Sequence, residues 1–378
     1  PTNCSQSDTL LMIYATAVTL RYRDMRKYCL TVNSIPKPIM AFQVTNQKTG
    51  NSFSVEDTET VLEAATRQSR VFNYSCRSGS CGSCKARLIS GEVDPGEYTA
   101  SALSDNEQAA GNILLCQARP QGDIVIEANE LPPGTAMTIR TLPCRVVSLE
   151  KASDDVMLLQ LKLPQNQKFE YLPGQYIDIL LRDGRRRSFS MANAATDGED
   201  LQLHVRLVPD GHFTGQVFTT LKTRDLLRFQ GPPGTFVLRE GESRPAIMVG
   251  GGTGLAPLKA ILDDALAKHP DRSFHLFWGA RSAEDLYLDN EIRRWLDMHR
   301  NLSYTPVLSD PKAEDRWEGE TGFVHEAVLR EYPELEGFEV YASGPPPMIE
   351  ALKTAFAAHG LLPECLFFDS FEFTTDSN

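Results

Sequence analysis

Residues 76–84 read CRSGSCGSC, three thiols in a stretch of glycine, serine and one arginine with no large apolar side chain to bury. The spacing Cys76-x4-Cys81-x2-Cys84 is followed by a fourth cysteine, Cys116, in ILLCQA. This is the plant-type ligand arrangement for a [2Fe-2S] cluster. A loop carrying three thiolates has to wrap two irons, which leaves space only for small side chains. It also has to aim backbone N–H groups at the sulfurs, where they stabilise the extra negative charge of the reduced cluster. Ser78, Gly79, Ser80, Gly82 and Ser83 meet both conditions. Four thiolates also suit a tetrahedral structural zinc. Zinc sites usually pair two short spacings, however, and only one of the two gaps here is short, which favours the cluster.

The remaining cysteines, Cys4, Cys29, Cys144 and Cys365, have no such setting, and Cys144 and Cys365 are expected to be buried small hydrophobes. A chain of 378 residues can build its own core without disulfides, and clustered cysteines in large chains more often serve metal or redox chemistry. A reducing cytoplasm is the compartment this implies. A formal charge of -12 argues against nucleic acid or an anionic membrane as a partner. The apolar run TLLMIYATAVTL, residues 9–20, is shorter than the roughly twenty residues of a membrane span. It also lacks the preceding positive charge of a secretory signal. Met40 stands directly before the first well-patterned strand, so residues 1–39 are expected to be an extension, either accessory or wrongly translated, with a functional anchor as the alternative.

Three changes of pattern divide the rest. Residues 41–130 alternate as a hairpin around NQKTGN, a helix at TETVLEAATRQSR, the cysteine loop, a strand at KARLISGEV and a closing DIVIEA. Residues 131–141 read as a linker because proline and glycine break both helix and sheet. Residues 142–240 carry short alternating strands between Pro-Gly and Asp-Gly turns, the pattern of an antiparallel barrel. In LQLHVRLV, residues 201–208, period-2 alternation puts Leu201, Leu203, Val205 and Leu207 on one face and Gln202, His204 and Arg206 on the other. Residues 241–378 alternate apolar strands with helices, the pattern of a parallel sheet wrapped by helices.

The barrel block contains RRRSFSMAN, residues 185–193, which alone would suit a solvated turn as well as a binding site. The stretch that follows, with His204, Arg206 and the turn PDGHFTG, favours binding: a diphosphate needs cations, free N–H groups and a hydroxyl. Arg187, Arg206, Gly211 and Thr214 supply them. Phe189 is expected to lie against a flavin ring and Ser190 to hydrogen-bond near its N5. In the third block, AIMVGGGTGLAPLKAIL is a strand, a glycine turn and a helix with Pro257 in its first turn. There Gly250, Gly252 and Gly254 would let N–H groups approach a pyrophosphate. Arg281 after the next strand can take a 2′-phosphate, but Glu284 and Asp285 follow it, so NADH and NADPH both stay open, with NADH favoured.

A [2Fe-2S] segment, an RSFS barrel and a GGGTGLAP domain in this order resemble the iron-sulfur flavoprotein reductases of the ferredoxin-NADP reductase superfamily, over about residues 41–373. Within it the likeness is greatest to the CDP-6-deoxyglucoseen reductase branch of dideoxysugar synthesis. It rests on YSCRSGSCGSCKARLISGEVD, YLPGQYIDI, RRSFSMANA, GGGTGLAP and TGFVHEAVL. Reductases of ring-hydroxylating dioxygenases and di-iron monooxygenases share the domain order. The resemblance implies a β-grasp ferredoxin domain, an antiparallel β-barrel for FAD and a C-terminal α/β domain for NAD(P)H. It implies FAD held by Arg187, Ser188, Phe189, Ser190, His204, Val205, Arg206, Gly211 and Thr214. The nicotinamide nucleotide would be held by Gly251, Gly252, Thr253, Gly254, Gly344 and Pro345. Ser343 stands where the family often has cysteine and Phe189 where it often has tyrosine, so hydride transfer is expected to be slower. Asp369 in FFDSFEF would sit with an aromatic beside the flavin, with an ordinary closing strand as the alternative. Ser190, Ser343 and Asp369 are thus the expected catalytic residues. The implied reaction passes electrons from NAD(P)H through FAD and the cluster to an electron-accepting protein, a dehydratase or an oxygenase component. A redox sensor or electron-storage module without turnover is the reading from another class.

Overall fold

The computed structural model describes residues 41–131, 138–194, 200–241 and 243–371. The extension, with Cys4, Cys29 and the apolar run, lies outside them. No helix among the described residues is long and apolar enough to cross a membrane.

In the first block the strand Ala41–Asn46 pairs antiparallel with Ser52–Glu56 and parallel with Ile124–Glu127. Ile124–Glu127 in turn pairs antiparallel with Lys85–Ser90, and Lys85–Ser90 with Asn112–Leu114. This is the expected β-grasp. Helix Val61–Arg67 buries Val61, Leu62, Ala64 and Ala65 against the sheet. It starts where the sequence marks it: Thr60 Oγ1 accepts from the Glu63 N–H at 3.2 Å, and Glu63 accepts from the Thr60 N–H at 2.8 Å. A second box at Ser104 and Glu107 opens a short helix, Asp105–Ala109, that the hydrophobic pattern does not mark.

The second block is a six-stranded antiparallel sheet whose two edge strands, Arg186–Ser190 and Leu201–Arg206, meet through a bridge between Met191 and Leu203. The barrel is therefore nearly closed. Its first strand starts at Arg140, two residues inside the segment read as linker, and residues 132–137 lie outside the described ones. Two expectations are corrected. The strand ends at Arg206, so Leu207 leaves the alternation and is 38% exposed. The PDGHFTG turn opens a helix, His212–Thr219, with Gly211 as its N-cap.

The third block is a parallel sheet running Glu320–Thr321, Leu302–Leu308, Phe274–Ala280, Ala246–Gly251, Glu339–Gly344, Leu366–Ser370. Its central strands are near-continuous apolar runs because helices cover both faces. Cys144 and Cys365 are buried, as expected.

His275 in this sheet stacks on Phe277 at 4.1 Å and hydrogen-bonds Tyr332 Oη at 2.8 Å and Thr305 Oγ1 at 2.9 Å. Burial lowers its pKa to about 4. Between about pH 6.5 and pH 4 the unfolded imidazole therefore binds a proton that the folded one refuses. Stability falls as the pH falls across that window, by at most about 3 kcal/mol from this group. His275→Gln is expected to flatten the loss of thermal stability between pH 7 and pH 5, measured as the change in Tm of each protein across that interval.

Candidate functional site

The cysteine loop leaves the core at Ser75 and returns to it at Cys84, whose carbonyl accepts from the Leu115 N–H at 3.1 Å. Gly79 and Gly82 have φ of +76° and +78°. A Cβ would lie 2.5 Å from the Glu97 carbonyl oxygen at the first and 2.9 Å from that of Ala102 at the second, so both conformation and space require glycine. The loop then turns donors onto sulfur: Ser78 N–H to Cys76 Sγ at 3.4 Å, Ser83 N–H to Cys81 Sγ at 3.5 Å and Gln117 Nε2 to Cys116 Sγ at 3.8 Å. The thiols face each other in two pairs, Cys76 with Cys81 and Cys84 with Cys116. The hydrogen bond to the partner thiol, with burial second, holds Cys81 and Cys84 well above the usual thiol range, so metal binding has to displace their protons. Among the described residues no three thiol, imidazole or carboxylate groups converge as one metal ion would require. Two facing pairs of thiols would hold two irons, two thiolates on each.

Beside the loop lies a cavity of about 290 Å³. Cys76 lines it together with much of the set expected from sequence: Arg187, Ser188, Phe189, Ser190, His204, Arg206, Gly211, Thr214, Thr253 and Asp369. The cavity therefore joins the barrel, the expected cluster ligand Cys76 and the C-terminal strand. His204 is buried, not outward on an open face, because Tyr287 of the third block covers it: the Tyr287 hydroxyl hydrogen-bonds His204 Nδ1 at 3.0 Å. Its Nε2 has no partner among the described residues. Burial, with the charge of Lys259 second, lowers its pKa to about 3, so the ring is neutral. An unpartnered ring nitrogen on the cavity wall is what a bound flavin would satisfy. Phe189 lines the cavity with its ring 5.5 Å from that of Phe213. Gly211 is required where it stands, since a Cβ would crowd Thr214 Oγ1 at 2.5 Å.

Ser190 Oγ donates to Asp369 Oδ2 at 3.1 Å, and Ser75 Oγ donates to Asp369 Oδ1. Burial pushes the Asp369 carboxyl up. Asp369 is thus at once on a closing strand and at the cavity, with Phe371 beside it. Arg206 departs from the expected free cation: it pairs with Asp155 at 3.2 Å and Asp285 at 3.8 Å. Arg281 is held by the same two carboxylates, at 3.6 and 3.7 Å.

Val205 lies off the cavity in the barrel core. Gly251, Gly252, Gly254, Ser343, Gly344 and Pro345 lie off it too, at the crossing of the glycine turn and the SGPPPM segment. A Cβ on Gly251 would lie 2.6 Å from Met348 Sδ, and one on Gly252 would lie 2.8 Å from Arg206 Nη1. Gly254 packs on the Ser343 carbonyl. Ser343 is fully buried, pairs in register with both Gly250 and Asp369, and its hydroxyl has no partner among the described residues.

Sequence reasoning missed Ser75, Tyr176, Asp155 and Tyr287, and named Asp285 only beside Arg281 and not as a partner of Arg206. The first two carried a signal, adjacency to Cys76 and a place in YLPGQYIDI; the others act only through long-range contacts.

Three family models match in series: the 2Fe-2S iron-sulfur cluster binding domain over residues 44–121, the oxidoreductase FAD-binding domain over 143–238 and the oxidoreductase NAD-binding domain over 248–354. The CDP-6-deoxy-L-threo-D-glycero-4-hexulose-3-dehydrase reductase of Yersinia pseudotuberculosis is 40% identical over 332 residues, 88% of this chain and 99% of that protein. The chain belongs to the iron-sulfur flavoprotein reductases. The phenol 2-monooxygenase reductase component DmpP of a Pseudomonas species is 34% identical over 342 residues, 89% of this reductase and 96% of that one. The crystal structure of the Amycolatopsis cytochrome P450 reductase GcoB matches with a TM-score of 0.71 and 34% identity, covering 87% of this reductase and 98% of that chain. The reductase is an NAD(P)H-dependent oxidoreductase using FAD and a [2Fe-2S] cluster.

Proposed function

We propose that the reductase takes its electrons from NADH and delivers them singly, in the cytoplasm, to a sugar-nucleotide dehydratase that carries a pyridoxamine cofactor. One observation carries the electron path: Cys76, a cluster ligand, lines the same cavity as Ser190 and Asp369. When bound, the nicotinamide and flavin exchange a hydride and the cluster accepts electrons one at a time, which is the cofactors' own chemistry. The protein's part is position and electrostatics. The Ser190 proton is committed to Asp369, leaving the hydroxyl lone pairs for a donor in the cavity. The Ser343 hydroxyl supplies a buried polar atom next to the glycine turn, where the nicotinamide end would lie.

Asp155 and Asp285 beside Arg281 support NADH, because two carboxylates at the one suitable arginine oppose a 2′-phosphate. Clustered cysteines in a chain of this size more often serve metal or redox chemistry than disulfides, which supports a reducing compartment. The identity over nearly the whole Yersinia dehydrase reductase supports the dehydratase over an oxygenase.

The test mixes NADH-reduced reductase anaerobically with a CDP-4-keto-6-deoxyglucose 3-dehydrase loaded with pyridoxamine phosphate and substrate, and in parallel with a phenol hydroxylase oxygenase. Cluster reoxidation is expected to be at least about tenfold faster with the dehydrase. Faster reoxidation by the oxygenase would reverse the assignment. Absence of NADH oxidation with FAD and iron both bound would instead favour the storage module.

A further inference from the structure

The segment leading into the first cluster ligand is tied to the rest of the reductase at nearly every residue. Asn73 Oδ1 accepts from Arg239 Nη2 at 2.9 Å. Tyr74 N–H donates to Thr235 Oγ1 at 2.8 Å, and the Tyr74 carbonyl accepts from the Thr235 N–H at 3.2 Å. The Ser75 carbonyl accepts from the Tyr176 hydroxyl at 2.6 Å. Past Cys76, the Arg77 guanidinium pairs with Asp178 and lies 5.7 Å over the Tyr176 ring.

The last contact differs in kind from the others. Asp178 stands on the barrel strand Tyr176–Leu180, and its side chain is 1% exposed. A buried carboxylate is costly unless a cation and hydrogen bonds meet it, and removing one partner of such a pair strands the other. The cation here comes from the cysteine loop, not from the barrel. The loop in turn accepts backbone strain to deliver it, since Arg77 sits at φ +61°, a conformation a side-chain-bearing residue holds only when its surroundings enforce it. The second oxygen of the same carboxylate accepts from Ser188 Oγ at 2.7 Å, and Ser188 lines the flavin cavity. One buried carboxylate therefore grips the residue after a cluster ligand with one oxygen and the cavity wall with the other.

We propose that Asp178 is a positioning residue: it holds the cluster loop, through Arg77, and the flavin wall, through Ser188, in one register, and so sets the rate at which electrons pass from flavin to cluster. The proposal rests on the flavin-to-cluster path above. It leaves hydride transfer from NADH untouched, because the glycine turn and Ser343 lie elsewhere. Electron passage falls steeply with separation, and a loop freed from Asp178 samples longer separations.

The test uses the holoprotein carrying Asp178→Asn, Arg77→Met and both together, each at wild-type FAD and iron content. Anaerobic stopped-flow with NADH is expected to show flavin bleaching at the wild-type rate. Cluster reduction is expected to slow by at least about tenfold, the scale that a misplacement of about 1 Å can bring. The double variant is expected to be no slower than the slower single, because both remove one interaction. Hydrogen exchange of the backbone around residues 73–77 is expected to rise about tenfold in all three, with the strand Ala246–Gly251 unchanged. This second measurement needs no electron flow, so it judges the latch even if the electron path itself were wrong. Wild-type cluster reduction and wild-type exchange in the variants would overturn the proposal. Should Asp178→Asn fail to keep FAD, Arg77→Met on the loop carries both measurements, and the same two results support or overturn the proposal.

Discussion

Replacing Cys84 with alanine is expected to leave a yellow flavoprotein that still reduces ferricyanide with NADH but has lost cytochrome c reduction by about 100-fold or more. Cys84 is 3% exposed and faces Cys116, with which it would hold one iron. With it gone, the iron that this pair would hold would keep only the Cys116 thiolate of the two. The flavin cavity draws only Cys76 and Ser78 from the cysteine loop and its neighbours Ser75 and Tyr176 from outside it, so FAD binding survives. Iron and labile-sulfide assays together with the two acceptor rates check the result. Retained iron with undiminished cytochrome c reduction would remove the cluster from the electron path. Cys144→Ala is the matched control: that thiol is buried in the barrel core, where burial alone pushes its pKa up to about 12, and its loss is expected to leave both acceptor rates as they are.

The contrast between these two cysteines shows what the sequence makes legible. Cluster chemistry dictates spacing and small neighbours, so the loop can be read residue by residue, and its glycines prove to be where backbone crowding and positive φ require them. The central strands of the parallel sheet are legible because burial on both faces leaves continuous apolar runs. His204 is not, since its alternation correctly places it off the barrel interior while only the covering Tyr287 buries it. Arg206 and Arg281 look like free phosphate-binding cations until Asp155, some fifty residues before the first of them, is brought against both. Arg77 and Asp178 are illegible for the same reason: each reads as an ordinary charge in its own segment, and their meaning lies in a contact across blocks.

Gly254→Ala is expected to abolish NADH-dependent flavin reduction, lowering kcat/KM for NADH by about 100-fold or more, while dithionite still reduces both flavin and cluster. The obstacle is not conformational, because Gly254 has an ordinary helical φ of -59°. It is one of space. A Cβ would overlap the Ser343 carbonyl oxygen, lie 2.5 Å from the Ser343 carbonyl carbon and 2.9 Å from Gly344 Cα. All three are backbone atoms of the strand end that pairs with Gly250, so no rotamer change relieves the overlap, and overpacking of this kind costs about 1–3 kcal/mol. The glycine turn and the SGPPPM segment have to part, and with them the crossing where the nicotinamide nucleotide would bind. The barrel meets the turn at Gly252, through Arg206, and not at Gly254, whose crowding falls on Ser343 and Gly344, which is why flavin and cluster content are expected to hold. Gly215→Ala separates this effect from glycine replacement as such. Nothing lies within 4 Å of a Cβ there, in the helix His212–Thr219, so that change is expected to stabilise by about 0.4–1 kcal/mol with NADH oxidation intact.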